Sequence, residues 1–154
     1  MKEGRHMKKL LALSLALALP GAAVAAPAQD NVKAVAAVWA REDEYWSAAS
    51  AGDTKRYLRL FHASFTGWPC GQSAPVRQVT LAPPPAGGSE HVVMDQKADS
   101  ARAGLVMVFY RATLTDRFAD GRVETRTRYF THTWIPGEGG WQILGGMCRD
   151  VPSK

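Results

Sequence analysis

The chain predicts an α+β fold, a curved antiparallel sheet wrapped into a cone beneath N-terminal helices. Three observations carry this. Apolar residues recur at helical spacing from Asp30 to Gly52, a proline- and glycine-rich stretch follows, and the last sixty residues are β-branched and aromatic between glycine turns. A sheet in that order must bury its apolar face under the helices, and a curved sheet with a helix across it leaves a hollow, a favoured place for small ligands.

The N-terminus reads as a secretory leader. Met7, Lys8 and Lys9 supply positive charge, LLALSLALAL an apolar run, and Ala23-Val24-Ala25 an A-x-A cleavage site. The run is too short to span a bilayer core of about 30 Å, so a removable address at residues 1–25 is expected, with no membrane attachment afterwards. The 154-residue chain has a formal charge of +5. Without the leader it carries fifteen basic against thirteen acidic residues, which removes the electrostatic case for nucleic-acid binding. Residues 26–154 then make one domain, expected to be periplasmic or secreted. In an oxidising compartment the only two cysteines, Cys70 and Cys148, can form a disulfide or remain two unrelated thiols, and spacing alone leaves both readings open.

Asp30 is expected to cap a first helix presenting Val32, Val35, Ala36, Trp39 and Trp46, with Gly52 as its stop. Asp53 caps a short second helix through TKRYLRLFH, bearing Leu58 and Phe61, and ASFTGW reads as a brief extended segment. From Pro69 to Ser89 the prolines oppose a regular ladder and predict a surface loop, lid or spacer. HVVMD is a short strand. GLVMVFYRATLT and VETRTRYFTHTWI form a hairpin about Asp120-Gly121, and GWQILGGMC follows PGEGG as the final strand, its glycines indicating curvature or close backbone approach.

Three segments resemble the nuclear-transport-factor-2-like superfamily, and within it the SnoaL-like domains of exported bacterial proteins: WSAASAGD at Trp46–Asp53, LRLFHASFTGWP, and RYFTHTWIPGEGGWQILGG. The resemblance covers nearly all of residues 26–154. It implies a cystatin-like cone with a pocket between the first helix and the concave sheet. The superfamily includes isomerases, dehydratases and polyketide cyclases beside domains that only bind or dimerise, so it implies no single chemistry. The chain departs from the pattern at Met147, where many relatives have a histidine, and at the proline-rich loop, which replaces a third helix.

Asp43 is the first candidate for chemistry, because it lies three and four residues from Trp46 and Trp39, and burial against indole would suit a carboxyl group to acid or base work. His132 shares strand parity with Phe130 and Trp134 and is the second; Tyr110 and Arg128 are candidates to stabilise negative charge. Each has a structural alternative, an ion pair at the stripe's edge for Asp43 and a bonded core histidine for His132. Glu124, Arg126 and Arg128 mark a pocket mouth or a solvated strand end. No nucleophile elbow, phosphate loop, H-E-x-x-H or C-x-x-C occurs, and His62, His91 and His132 have no metal-ligand spacing. The sequence therefore supports a cavity lined by Trp39, Trp46, Phe130 and Trp134 that holds a small apolar molecule, with cofactor-free proton transfer as the expected chemistry. The rival is a structural module with a filled cone that dimerises through its outer sheet.

Overall fold

The computed structural model describes residues 26–81, 91–118 and 120–151, so the leader, its cleavage site and APPPAGG lie outside the described residues. The elements are α1 (Ala26–Ser50), α2 (Thr54–Arg59), β1 (Phe61–Trp68), β2 (Val76–Arg77), a 3-10 turn (Gln78–Thr80), β3 (His91–Arg102), β4 (Leu105–Arg117), β5 (Val123–Gly137) and β6 (Gly140–Asp150). The six strands form one curved, unclosed sheet in the order β2-β1-β6-β5-β4-β3.

Helix α1 begins at Ala26, one turn before the expected cap at Asp30. The alanine-rich start favours helix, and Pro27 is tolerated in a first turn whose N–H groups lack intrahelical acceptors anyway. Gly52 takes a left-handed φ of 65°, and Asp53 caps α2 by accepting from the Arg56 N–H at 3.0 Å. The second helix stops at Arg59, so Phe61 opens β1 and is not helical.

Strand β4 alternates between buried and less buried positions, placing Val106, Val108, Tyr110, Ala112 and Leu114 inward. Phe130, His132 and Trp134 do the same on β5, and the two strands pair in unbroken register from Val106↔Trp134 to Arg117↔Val123. Val38, Tyr45 and Ala48 of α1 close the core from above, with Tyr57, Leu60, Phe61, Phe65 and Ile143 at one side.

Three expectations are corrected. The sheet is mixed, since β1 pairs with β6 in parallel. The short strand at His91 continues to Arg102, with a bulge between Asp95 and Ala98 where Gln96 takes a φ of 49°. Part of the proline-rich stretch is ordered: Val76–Arg77 pairs with Thr66–Gly67 as an edge strand, because Pro75 precedes these residues and leaves their N–H groups free to bond.

Candidate functional site

The polar centre of the core is Glu42. It is fully buried, and it receives three donors: His132 Nδ1 at 2.8 and 3.1 Å to its two oxygens, Trp134 Nε1 at 2.7 Å to Oε1, and the Tyr110 hydroxyl at 2.9 Å to Oε2. Trp46 Nε1 donates to the Tyr110 oxygen at 3.1 Å, so the phenol's own proton is left for Glu42. A carboxyl group that accepts on both oxygens plays the ionised role, and His132 Nδ1–H is then the donor toward it.

Burial, followed by the Glu42 charge, pushes the Tyr110 hydroxyl well above its ordinary range and keeps it a donor. Burial does the same for Tyr45, whose hydroxyl accepts from Tyr57 at 3.3 Å. The rings interlock around the carboxylate. Phe130 stacks on Tyr110 at 5.4 Å, and Tyr45 meets the His132 ring edge-on at 5.1 Å.

His132 uses Nδ1 for Glu42. Nε2 has no hydrogen-bond partner among the described residues, and no fully enclosed side-chain nitrogen or oxygen among them lacks one, so Nε2 is not fully enclosed. Along the inner face of β5 exposure rises from Trp134 (0 %) through His132 (7 %) and Phe130 (8 %) to the Arg128 side chain (21 %). The strand is therefore closed at Trp134 and opens toward Arg128.

Gly146 makes room for this ring. A Cβ there would lie 2.4 Å from the Thr131 oxygen and 2.6 Å from His132 Cδ2. The glycines of the final strand thus allow the close approach that the sequence indicated, and they set the imidazole against the β6 backbone.

Asp43 does not belong to this centre. It is exposed, about 100° further round α1 than Glu42. The buried stripe is Val38, Glu42, Tyr45 and Ala48, spaced three and four residues apart. Trp39 and Trp46 lie on its flank, and centring the stripe on them places the carboxylate one residue too late. The lone charge on the true stripe was the available signal.

Trp39 is half-buried, donates to Asp99 Oδ1 at 3.3 Å and lies beneath Lys97 Nζ at 4.9 Å, which ties α1 to β3. Arg128 pairs with Asp150 at 2.8 Å, and the inward Arg126 with Asp116, while Arg111 bonds Asp95 on the opposite face. His62 accepts from the Ser64 N–H at 3.1 Å and His91 is exposed, so neither joins His132. Cys70 and Cys148 are bonded, with Cα atoms 4.7 Å apart, fastening the segment after β1 to β6. A cavity of about 350 Å³ lies against the outer sheet face, lined by Phe109, Tyr129, Met147 and Arg149 among others.

An α+β cone with an acid–imidazole pair beneath its helix defines a broad class. No protein-family profile and no curated protein matches the chain. Its fold is that of the nuclear-transport-factor-2-like (NTF2-like) superfamily. It is similar to a Streptomyces avermitilis protein of the NTF2-like family named only provisionally as a dehydratase (TM-score 0.66, 10% identity, 80% of this chain and 99% of that one). It is also similar to the CaMKII association domain of C. elegans (TM-score 0.63, 14% identity, 80% and 99%). A third is an NTF2-like protein of unknown function in nutrient uptake from Rhodospirillum rubrum (TM-score 0.60, 23% identity, 72% and 95%).

Proposed function

We propose that this is an exported small-molecule domain in which His132, held by Glu42, exchanges a proton with a small, largely apolar ligand. The observation that carries the reading is His132 Nε2, which has no hydrogen-bond partner among the described residues, opposite a ring nitrogen fixed on a buried carboxylate. A purely structural histidine has no need to leave a nitrogen unpaired. Glu42 is a positioning residue: it selects the Nδ1–H tautomer, leaves the Nε2 lone pair as the proton acceptor, and sits where it offsets the charge of a protonated ring. Phe130 neighbours the His132 ring, with centroids 6.1 Å apart, and Arg128 stands at the open end of the strand. The similarity to a protein provisionally named a dehydratase supports proton-transfer chemistry.

The test is a thermal-shift screen of small apolar carbonyl and hydroxyl compounds. Compounds that stabilise the parent protein should lose that stabilisation in His132→Ala and keep it in Asp43→Asn. Stabilisation that survives His132→Ala overturns the reading. The leader and the disulfide support export to the periplasm or beyond the cell, and the mass of the mature protein should correspond to a chain starting at Ala26.

A second reading, assembly, is favoured by the outer sheet face. Phe109, Tyr129 and Met147 are exposed there on adjacent strands, and the likeness to CaMKII association domains supports it.

A further inference from the structure

The recess of about 350 Å³ on the outer face of the sheet follows from side-chain size. Thr131 of β5 lies directly across from Phe109 of β4 and from Met147 of β6, and Tyr129 is the next residue of β5 on the same face. Thr131 is half-buried, while Phe109, Tyr129 and Met147 are 41 %, 39 % and 58 % exposed. A short side chain among three long ones makes a pit with the threonine at its floor. Strands β4 and β6 stand two strand spacings apart, about 9.6 Å, and roughly 6 Å is left once the half-thickness of each wall is removed, room for one aromatic ring.

The charge at the rim is unequal. The row beside the pit runs Asp95, Arg111, Tyr129, Arg149 from β3 to β6. Arg111 donates from Nε to Asp95 Oδ1 at 2.8 Å and from Nη2 to Oδ2, so its charge is answered by a carboxylate gripped at both oxygens. Arg149 lies over the Tyr129 ring at 5.8 Å and pairs with no carboxylate among the described residues. The recess therefore joins apolar walls to a guanidinium whose charge the chain leaves uncompensated. A neutral apolar molecule would fill the walls and ignore that charge, and a strongly polar one would answer the charge and waste the walls.

We propose that this recess binds a small aromatic carboxylate, its ring between Phe109 and Met147 above Thr131 and its carboxylate on Arg149. Each part of such a ligand meets the group that suits it. Phe109 offers a ring for an offset or edge-on contact, the Met147 thioether packs well against an aromatic edge, and a guanidinium holds a carboxylate with two parallel donors. The volume lies near the lower bound of ligand pockets, about 300 Å³, which fits an acid of one or two fused rings. The site is separate from the His132 centre and does not depend on its chemistry. It shares its face with the assembly reading, so a chain holding the acid there cannot lay the same residues on a second copy.

Calorimetric titration of the mature chain with 2-naphthoate tests this. The parent protein should bind one equivalent with a dissociation constant on the order of 0.1 mM. Arg149→Gln, at an exposed position that leaves the chain folded by circular dichroism, should weaken binding about tenfold, and Thr131→Leu, which fills the floor, should weaken it at least as much. The neutral isostere 2-naphthalenemethanol should bind about tenfold more weakly than the acid. Carbon-13 methyl spectra should show the Met147 and Thr131 methyls shifting on titration, and binding should survive His132→Ala. No binding by the parent, in a monomer or in a dimer that covers the face, overturns the proposal. So does binding that is indifferent to Arg149→Gln, equal for the alcohol, or lost in His132→Ala; the last would place the acid at the inner centre and leave the His132 reading standing.

Discussion

Replacing Glu42 separates the work of its charge from that of its shape. In Glu42→Gln the carbonyl oxygen can keep Trp134 Nε1–H and His132 Nδ1–H, but the new amide NH₂ faces the Tyr110 hydroxyl, which already accepts from Trp46. Tyr110 must turn and give up its donation. One charge-assisted bond is lost and two are weakened, a cost of about 2–3 kcal/mol, partly offset because a charge no longer has to be buried. Glu42→Leu has a similar volume but leaves three buried donors unpaired. At about 1–3 kcal/mol each, its cost is about 5 kcal/mol, a large share of a typical domain's stability. Urea unfolding followed by tryptophan fluorescence measures both, with Asp43→Asn as a surface control expected within about 0.5 kcal/mol of the parent. A leucine variant as stable as the parent would refute the reasoning, because the three donors would then not depend on the carboxylate.

Further outcomes follow from the same centre and its supports. The raised hydroxyls of Tyr45 and Tyr110 hold their protons in the folded state after the unfolded chain has released them, so stability should fall above about pH 10 by up to about 1.4 kcal/mol per pH unit for each group. Tyr45→Phe should flatten that alkaline limb in pH-dependent urea titrations. For Glu44, burial raises the carboxyl pKa but bonds to Arg41 and Arg56 outweigh it, so the net shift is downward. Its contribution is present above the ordinary glutamate range and is lost as acid titrates the folded state; Glu44→Gln should reduce the acid slope. Gly146→Ala should destabilise by about 1–3 kcal/mol and displace the His132 ring signals, since the added methyl meets both the Thr131 oxygen and that ring. Reducing Cys70–Cys148, which closes a separation of 78 residues, should cost about 4 kcal/mol on the chain-entropy argument, measured as urea midpoints with and without dithiothreitol.

The strands and turns of the second half are legible because alternation and glycine act locally. Val106 to Leu114 alternate without interruption, and Gly121 takes the positive φ of 85° that the Asp-Gly pair predicts. His132 could be placed on the inner face by parity with Phe130 and Trp134. Glu42 could not be found by weighting the largest side chains, since α1 packs on the concave sheet through Val38, Tyr45 and Ala48 while its indoles flank the contact. The parallel union of β1 with β6 joins residues about eighty positions apart, and no local signal reports such a pairing. The bulge at Gln96 likewise depends on how β3 follows its neighbour, and it alone brings Asp95 and Ala98 to the same face of the sheet.

The central claim is that Glu42 fixes His132 through Nδ1 and leaves Nε2 for the proposed ligand. Nitrogen-15 spectra of the histidine rings measure this directly. The account predicts the Nδ1 proton on His132, held toward Glu42, and an Nε2 resonance that moves when a stabilising compound is added. A proton found on Nε2, with Nδ1 bare, would contradict it.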